Sequence, residues 1–198
     1  MAPGSIIASL EQLPGRYLGD PDNRLKARFR LRIGSLVRDV VVTPDDCAVV
    51  AASGAPDAEI STSPATWLEI DSGRLSGIEA FAGRRLTLRG SIQKAITFEP
   101  LFERAPAGGL RYEVRDIRYS RSYMSTVLAG REDAPPLFLL HGLGGTKASW
   151  LPVVPELARH YRVIAVDLPG FGMSCKPRGS YNAPWFADHV FDLMNELG

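Results

Sequence analysis

Along Arg28-Phe29-Arg30-Leu31-Arg32-Ile33, charged and apolar side chains alternate residue by residue, the period of a strand with one face buried and one in water. Two further apolar runs, 39–42 and 47–51, flank Thr43-Pro44-Asp45-Asp46, whose proline and aspartates predict a turn between paired strands. Residues 57–62 continue the strand pattern. The pattern then changes. Ser63-Pro64 sets a capping hydroxyl before a proline suited to the first helical position, so a helix follows through Trp67, Leu68 and Ile70 and ends at Gly73. A short helix over 78–82 stops at Gly83, and 86–90 predicts one more strand. Residues 92–102 read as a closing helix with Ile92, Ile96 and Phe98 apolar, weakened at Pro100. Ser5 to Leu13 is the candidate for a leading helix.

Beyond Arg104, Pro106 and the paired Gly108-Gly109 mark a connector. The predicted organisation is a domain over 1–104, a linker over 105–110 and a second domain over 111–198. In that second domain, 112–120 and 122–129 read as paired edge strands, followed by a turn over 130–136. Residues 137–140 form a short continuous apolar run, as expected of a strand covered on both faces of a parallel sheet. A helix over 147–160, interrupted near Pro152 and Pro155, leads to a buried strand over 161–166. Helical spacing returns over 182–197 at Phe186, Val190, Leu193 and Leu197. Strands alternating with helices predict an α/β class with a parallel sheet.

Composition narrows the picture only slightly. The 198 residues are 45% hydrophobic and 23% charged, with a formal net charge of +1, which gives no bulk attraction to nucleic acid or an anionic membrane. No apolar run approaches the roughly 18–20 residues of a membrane span, and the first residues lack the basic start and apolar core of a signal peptide. Stable membrane insertion is not expected. Cys47 and Cys175 have neither metal-ligand nor redox spacing, so two free thiols in the cytoplasm are expected.

The chemistry concentrates in His141-Gly142-Leu143-Gly144-Gly145, directly after a predicted strand. A dinucleotide loop fits Gly142 and Gly144 but meets Lys147 where its third glycine belongs, although Asp167 imitates the ribose-binding acid. A Walker A loop fails because Thr146 separates Gly145 from Lys147. His141-Gly-Leu-Gly-Gly with Trp150, followed by Asp167-Leu-Pro-Gly-Phe-Gly-Met-Ser174, resembles the α/β-hydrolase superfamily over about 111–198. That resemblance implies an oxyanion-hole loop over His141, Gly142, Leu143, Gly144 and Gly145. The backbone N–H of Leu143, or of its neighbour Gly144, would be one donor, and the second would follow the nucleophile. His141 precedes the place of the superfamily's base, so it is expected to order the loop. Asp167 is expected to order its own turn. Ser174 lacks the second glycine of a nucleophile pentapeptide, because Lys176 stands there. Asp188 and His189 are helical neighbours and diverge by about 100°, too far apart for a dyad. Trp150 is expected to pack under the glycine loop.

No G-x-S-x-G occurs, so no catalytic nucleophile, acid or base is assigned within these residues. The expectation is the N-terminal part of a longer hydrolase, inactive alone, with the 161–166 strand left as an open edge through which copies could associate. The fold class is therefore α/β, an incomplete α/β-hydrolase fold, preceded by a small α+β domain. That domain resembles the sterol carrier protein-2 (SCP2) family over about 25–104, on Thr43–Val50, the Ser61–Ser91 stretch and the closing Thr97–Phe102. The resemblance implies lipid binding, and Trp67, Phe81, Phe98 and Phe102 are the candidate ligand-binding residues, with ordinary core packing as the competing role. Small hydrophobic esters or lipids are the expected substrates. No cofactor and no metal are implied. Two alternatives stand beside the hydrolase: a lipid carrier with the hydrolase half as scaffold, and an interaction module pairing through its sheet edge.

Overall fold

The computed structural model describes residues 3–22, 24–104, 106–120 and 122–198. The chain divides into two compact units, Met1–Arg111 and Tyr112–Gly198.

The first unit is built on a five-stranded sheet of order β3-β2-β1-β4-β5, formed by β1 (Ala27–Ile33), β2 (Leu36–Val42), β3 (Cys47–Ala51), β4 (Ala58–Thr62) and β5 (Leu86–Gly90). The alternation in β1 does what its period demands. Ala27, Phe29, Leu31 and Ile33 are buried while the intervening arginines face outward. On that outer face Arg30 lies opposite Asp39 across β2 and beside Glu59 across β4. Asp39 is fully buried and accepts from Arg30 Nε at 2.8 Å, Arg28 Nη1 at 3.0 Å and the Ser53 amide at 3.0 Å. Burial alone would raise its pKa, but these donors outweigh burial and hold it down at about 2.

Helices α1 (Pro3–Glu11), α2 (Pro64–Asp71), α3 (Gly77–Ala82) and α4 (Ile92–Ala95) complete this unit. Ser63 caps α2 by accepting from the Thr66 amide, and Ser76 with Glu79 forms a reciprocal capping box on α3. The closing helix expected over 92–102 is a single turn, α4, followed by a separate 3-10 turn at Glu99–Leu101. Pro100 cannot donate the helical hydrogen bond, and Phe98 turns inward to meet Phe29 at 5.1 Å and Phe102 at 5.0 Å between ring centroids. Within the connector, the Gly109 amide bonds Gly73 O at 2.9 Å and the Leu110 amide bonds Glu79 Oε2 at 3.0 Å. Ala105 lies outside the described residues.

The second unit holds β6 (Tyr112–Tyr119), β7 (Ser122–Ala129), β8 (Pro136–Leu140) and β9 (Arg162–Val166) in the order β6-β7-β9-β8. The two leading strands pair antiparallel as expected, but only β6 is an edge, because β9 pairs with the far side of β7. The open edge differs from the sequence expectation in the same way. β9 sits between β7 and β8 with Val163, Ile164, Ala165 and Val166 fully buried, so it is the best covered strand of the sheet. The outer strand on that side is β8, whose Leu140 remains 43% exposed, and it is not covered on both faces. The helix expected over 147–160 is broken into a 3-10 turn, Lys147–Trp150, and a one-turn α5, Val154–Leu157. Pro152 and Pro155 remove two amide donors within one turn, which leaves too few hydrogen bonds to propagate a helix. The last helix, α6 (Ala183–Leu197), is capped by Asn182 and buries Leu193 completely.

Candidate functional site

The glycine loop begins where β8 ends. His141 is buried, its Nδ1 lies 2.8 Å from Gly142 O, and its Nε2 lies 3.0 Å from the Leu168 amide. An amide can only donate, so Nε2 is the acceptor. The ring is therefore the tautomer protonated at Nδ1, which donates to Gly142 O. Phe171 meets the imidazole edge-on at 5.2 Å. The Gly145 amide closes the turn onto Gly142 O at 3.0 Å, and a Cβ on Gly145 would sit only 3.1 Å from that oxygen and from His141 Cβ. Gly144 has φ +74°, which glycine tolerates without strain. The backbone amides of Leu143 and Gly144 have no acceptor among the described residues, and the Leu143 side chain is 98% exposed.

Behind the loop lies a charge that sequence reasoning passed over. Lys147, which served only to disqualify a nucleotide loop, is fully buried. Its ammonium Nζ reaches Asp167 Oδ2 at 2.6 Å and Ser125 Oγ at 3.1 Å, and its amide reaches Asp167 Oδ1 at 2.7 Å. Burial lowers the Lys147 pKa, against the opposing pull of Asp167. Asp167 also accepts from the Met173 amide at 2.9 Å. Ser174 is buried, donates to Asp167 O at 2.5 Å and accepts from the Ser125 amide at 2.8 Å. Both ends of its hydroxyl are thus engaged in backbone bonds rather than poised for attack. The available signal was a lysine two residues past the glycine loop, with an aspartate at the end of the next buried strand.

The remaining candidates separate. Asp188 and His189 do not pair; His189 Nδ1 lies 3.0 Å from Tyr119 OH and its ring sits 4.3 Å from that of Trp185. Trp150 is half-buried and its Nε1 has no hydrogen-bond partner among the described residues. None of the three histidines contacts a serine hydroxyl or cysteine thiol among the described residues, so no nucleophile–base pair is assembled.

In the first unit, Trp67, Phe98 and Phe102 are buried in the core and Phe81 packs against it. Trp67 Nε1 is spent on Ser9 Oγ at 2.9 Å. A groove of about 230 Å³ lies elsewhere, lined by Ile7, Leu10, Glu11, Pro14, Leu36, Arg38 and Val49, and none of the four aromatic candidates touches it. Among the described residues no group of His, Cys, Asp and Glu could hold a metal ion, and no helix is long and apolar enough to cross a membrane.

Comparison with known proteins agrees with both resemblances. Residues 135–198 match the alpha/beta hydrolase fold family and residues 17–103 match the SCP-2 sterol transfer family. The class is therefore mixed α/β, with a partial match to the hydrolase fold and a separate match to the SCP-2 sterol transfer family, each over less than half of the chain. Over 63 residues the chain is 48% identical to a pimeloyl-[acyl-carrier protein] methyl ester esterase of Aeromonas hydrophila, covering 31% of this chain and 25% of that one. It is 40% identical over 65 residues to a 2-hydroxy-6-oxo-6-(2'-aminophenyl)hexa-2,4-dienoic acid hydrolase of Metapseudomonas resinovorans, covering 31% and 22%. Among solved structures, a membrane phospholipase A, a bacterial virulence factor, aligns with TM-score 0.43 and 33% identity over 44% of this chain and 28% of that one. The chain spans about a quarter of the length of the curated relatives it matches.

Proposed function

We propose that residues 112–198 supply the oxyanion side of an α/β-hydrolase that cleaves hydrophobic esters, with nucleophile, acid and base contributed by sequence outside these 198 residues. The observation that carries this reading is the glycine loop. It follows a parallel strand, it is tied through His141 to the loop after the next strand, and it leaves the amides of Leu143 and Gly144 unengaged. Acyl transfer builds negative charge on an oxygen, and a prepositioned donor lowers that barrier by about 2.7–4 kcal/mol. Two of the relatives are an ester esterase and a dienoic acid hydrolase, which supports hydrolysis as the reaction class. The SCP2-type unit supports a lipid-like substrate. No step in this chemistry calls for a cofactor.

A second reading, a lipid carrier with the hydrolase half as scaffold, draws on the groove beside α1. The aromatic candidates fill core or pack against it rather than line that groove. The carrier ranks second for that reason. Pairing of copies through the β8 edge is the third role, and sedimentation that stays monomeric across concentration rejects it.

The coding DNA past codon 198 tests the first reading. A frame that runs on into a strand and a G-x-S-x-G or G-x-D-x-G supports the hydrolase and identifies its nucleophile. A stop codon at that point rejects it and moves displaceable fatty-acid binding to the front.

A further inference from the structure

We propose that Lys147 is the positioning residue of the glycine loop: its ammonium, sealed between Asp167 and Ser125, fixes the loop so that the Leu143 and Gly144 amides stay unengaged. The inference deepens the hydrolase reading and rests on it for the use made of those amides, but not for the lock itself.

An ammonium removed from water loses several kcal/mol of hydration, and a buried ion pair is weak evidence of stability because apolar residues of similar size often do as well. Lys147 and Asp167 are both fully buried, so this energetically marginal pair sits where a leucine would serve packing. What an ammonium adds is direction. Its Nζ bonds join three segments that are distant in sequence: the 3-10 turn Lys147–Trp150, the loop after β9 through Asp167, and β7 through Ser125. The Lys147 amide binds the other oxygen of the same carboxylate, so Asp167 grips the residue at both ends. One residue beyond Asp167, the Leu168 amide donates to His141 Nε2, and His141 Nδ1 closes on Gly142. The glycine loop is thus held at its first residue by Leu168 and just past its last by Asp167. Both anchors lie on one dipeptide, whose backbone is tied to β7 by the Asp167 amide on Ser125 O at 2.9 Å and whose Asp167 carboxylate the ammonium fixes.

A role for Lys147 as nucleophile or Schiff-base former is excluded by its complete burial, which denies it any substrate. Without the ammonium the Asp167 backbone would keep its bonds to Ser125 O and Ser174 Oγ, but its buried carboxylate would lose its cationic partner. Met173 N and Lys147 N would remain as donors, but the tie from Asp167 to Ser125 Oγ through Nζ would be lost.

The test uses the 198-residue chain and does not depend on ester turnover. Lys147→Met keeps length and apolar volume while removing the ammonium, and Val154→Ala, at a fully buried position in the same unit, serves as a control for general loosening of the core. The readouts are amide exchange at Leu168 and Gly145, and the imidazole ¹⁵N shifts of His141, which report its tautomer. Lys147→Met is expected to speed Leu168 and Gly145 exchange by about tenfold or more and to average the His141 tautomers, while Val154→Ala leaves both at wild-type values. Native exchange and a single tautomer in Lys147→Met overturn the proposal, as does an equal change in Val154→Ala. If Lys147→Met does not fold, Ser125→Ala removes only the Nζ–Oγ contact; an increase of about threefold in Leu168 exchange supports the lock, and no change overturns it. A locked loop in a chain whose longer form hydrolyses no ester leaves this inference standing and removes only the chemistry assigned to the amides.

Discussion

Asp39 offers a prediction that can be worked through to a number. Its carboxylate is fully buried on the outer face of the first sheet beneath Arg28 and Arg30, and it also accepts the Ser53 amide. Burial opposes the charge, yet the donors bring its pKa from the ordinary 3.8 down to about 2. A carboxylate with a depressed folded-state pKa contributes stability that is present above the unfolded value and lost as pH falls through the folded one. The difference between 3.8 and about 2 corresponds to about 2.5 kcal/mol at neutral pH and about half of that at pH 3. Asp39→Asn retains an acceptor but loses the charge, so it should destabilise the first unit by about 2 kcal/mol at pH 7 and by about 1 kcal/mol at pH 3. Trp67 is the only tryptophan within Met1–Arg111, so replacing Trp150 and Trp185 by Phe makes urea unfolding by fluorescence specific to that unit. A loss below about 0.5 kcal/mol at pH 7, or one that does not shrink between pH 7 and pH 3, would refute the reasoning.

Three other outcomes follow from the packing. Phe98→Ala should cost about 3–5 kcal/mol in the same urea assay, because Phe98 packs between Phe29 and Phe102; a near-neutral result would return it to the ligand-lining set. Gly130→Ala should strongly destabilise the second unit, since φ is +90° and a Cβ would strike the Tyr161 carbonyl oxygen; unchanged thermal unfolding contradicts that placement. Burial pushes the Cys47 thiol up to about 11, so at pH 8 a thiol reagent should modify half-buried Cys175 well before Cys47, as read by peptide mass, and the reverse order would contradict the burial assignment.

Local patterns were legible because local physics decides them. The alternation 28–33, the Ser63-Pro64 helix start and the glycine stops at Gly73 and Gly83 each read correctly from a few neighbouring residues. Gly142 to Gly145 likewise declared a loop after a strand. The errors came from non-local pairing. An apolar run does not reveal whether it lies inside a sheet or at its margin, so β8 and β9 were exchanged as interior and edge. Two prolines set three residues apart broke the 147–160 segment more completely than one would, and inward-facing Phe98 outweighed helical spacing in 92–102. Lys147 was invisible for the same reason. Its partner Asp167 stands twenty positions away, and only the fold brings them together.

The most direct test of the central claim is hydrolysis of short p-nitrophenyl esters, comparing the 198-residue chain with any longer polypeptide that its reading frame encodes. The account predicts turnover only in the extended form, abolished when the residue at its elbow is replaced by alanine. Equal turnover by both forms would contradict it, because these 198 residues would then already contain the whole catalytic apparatus.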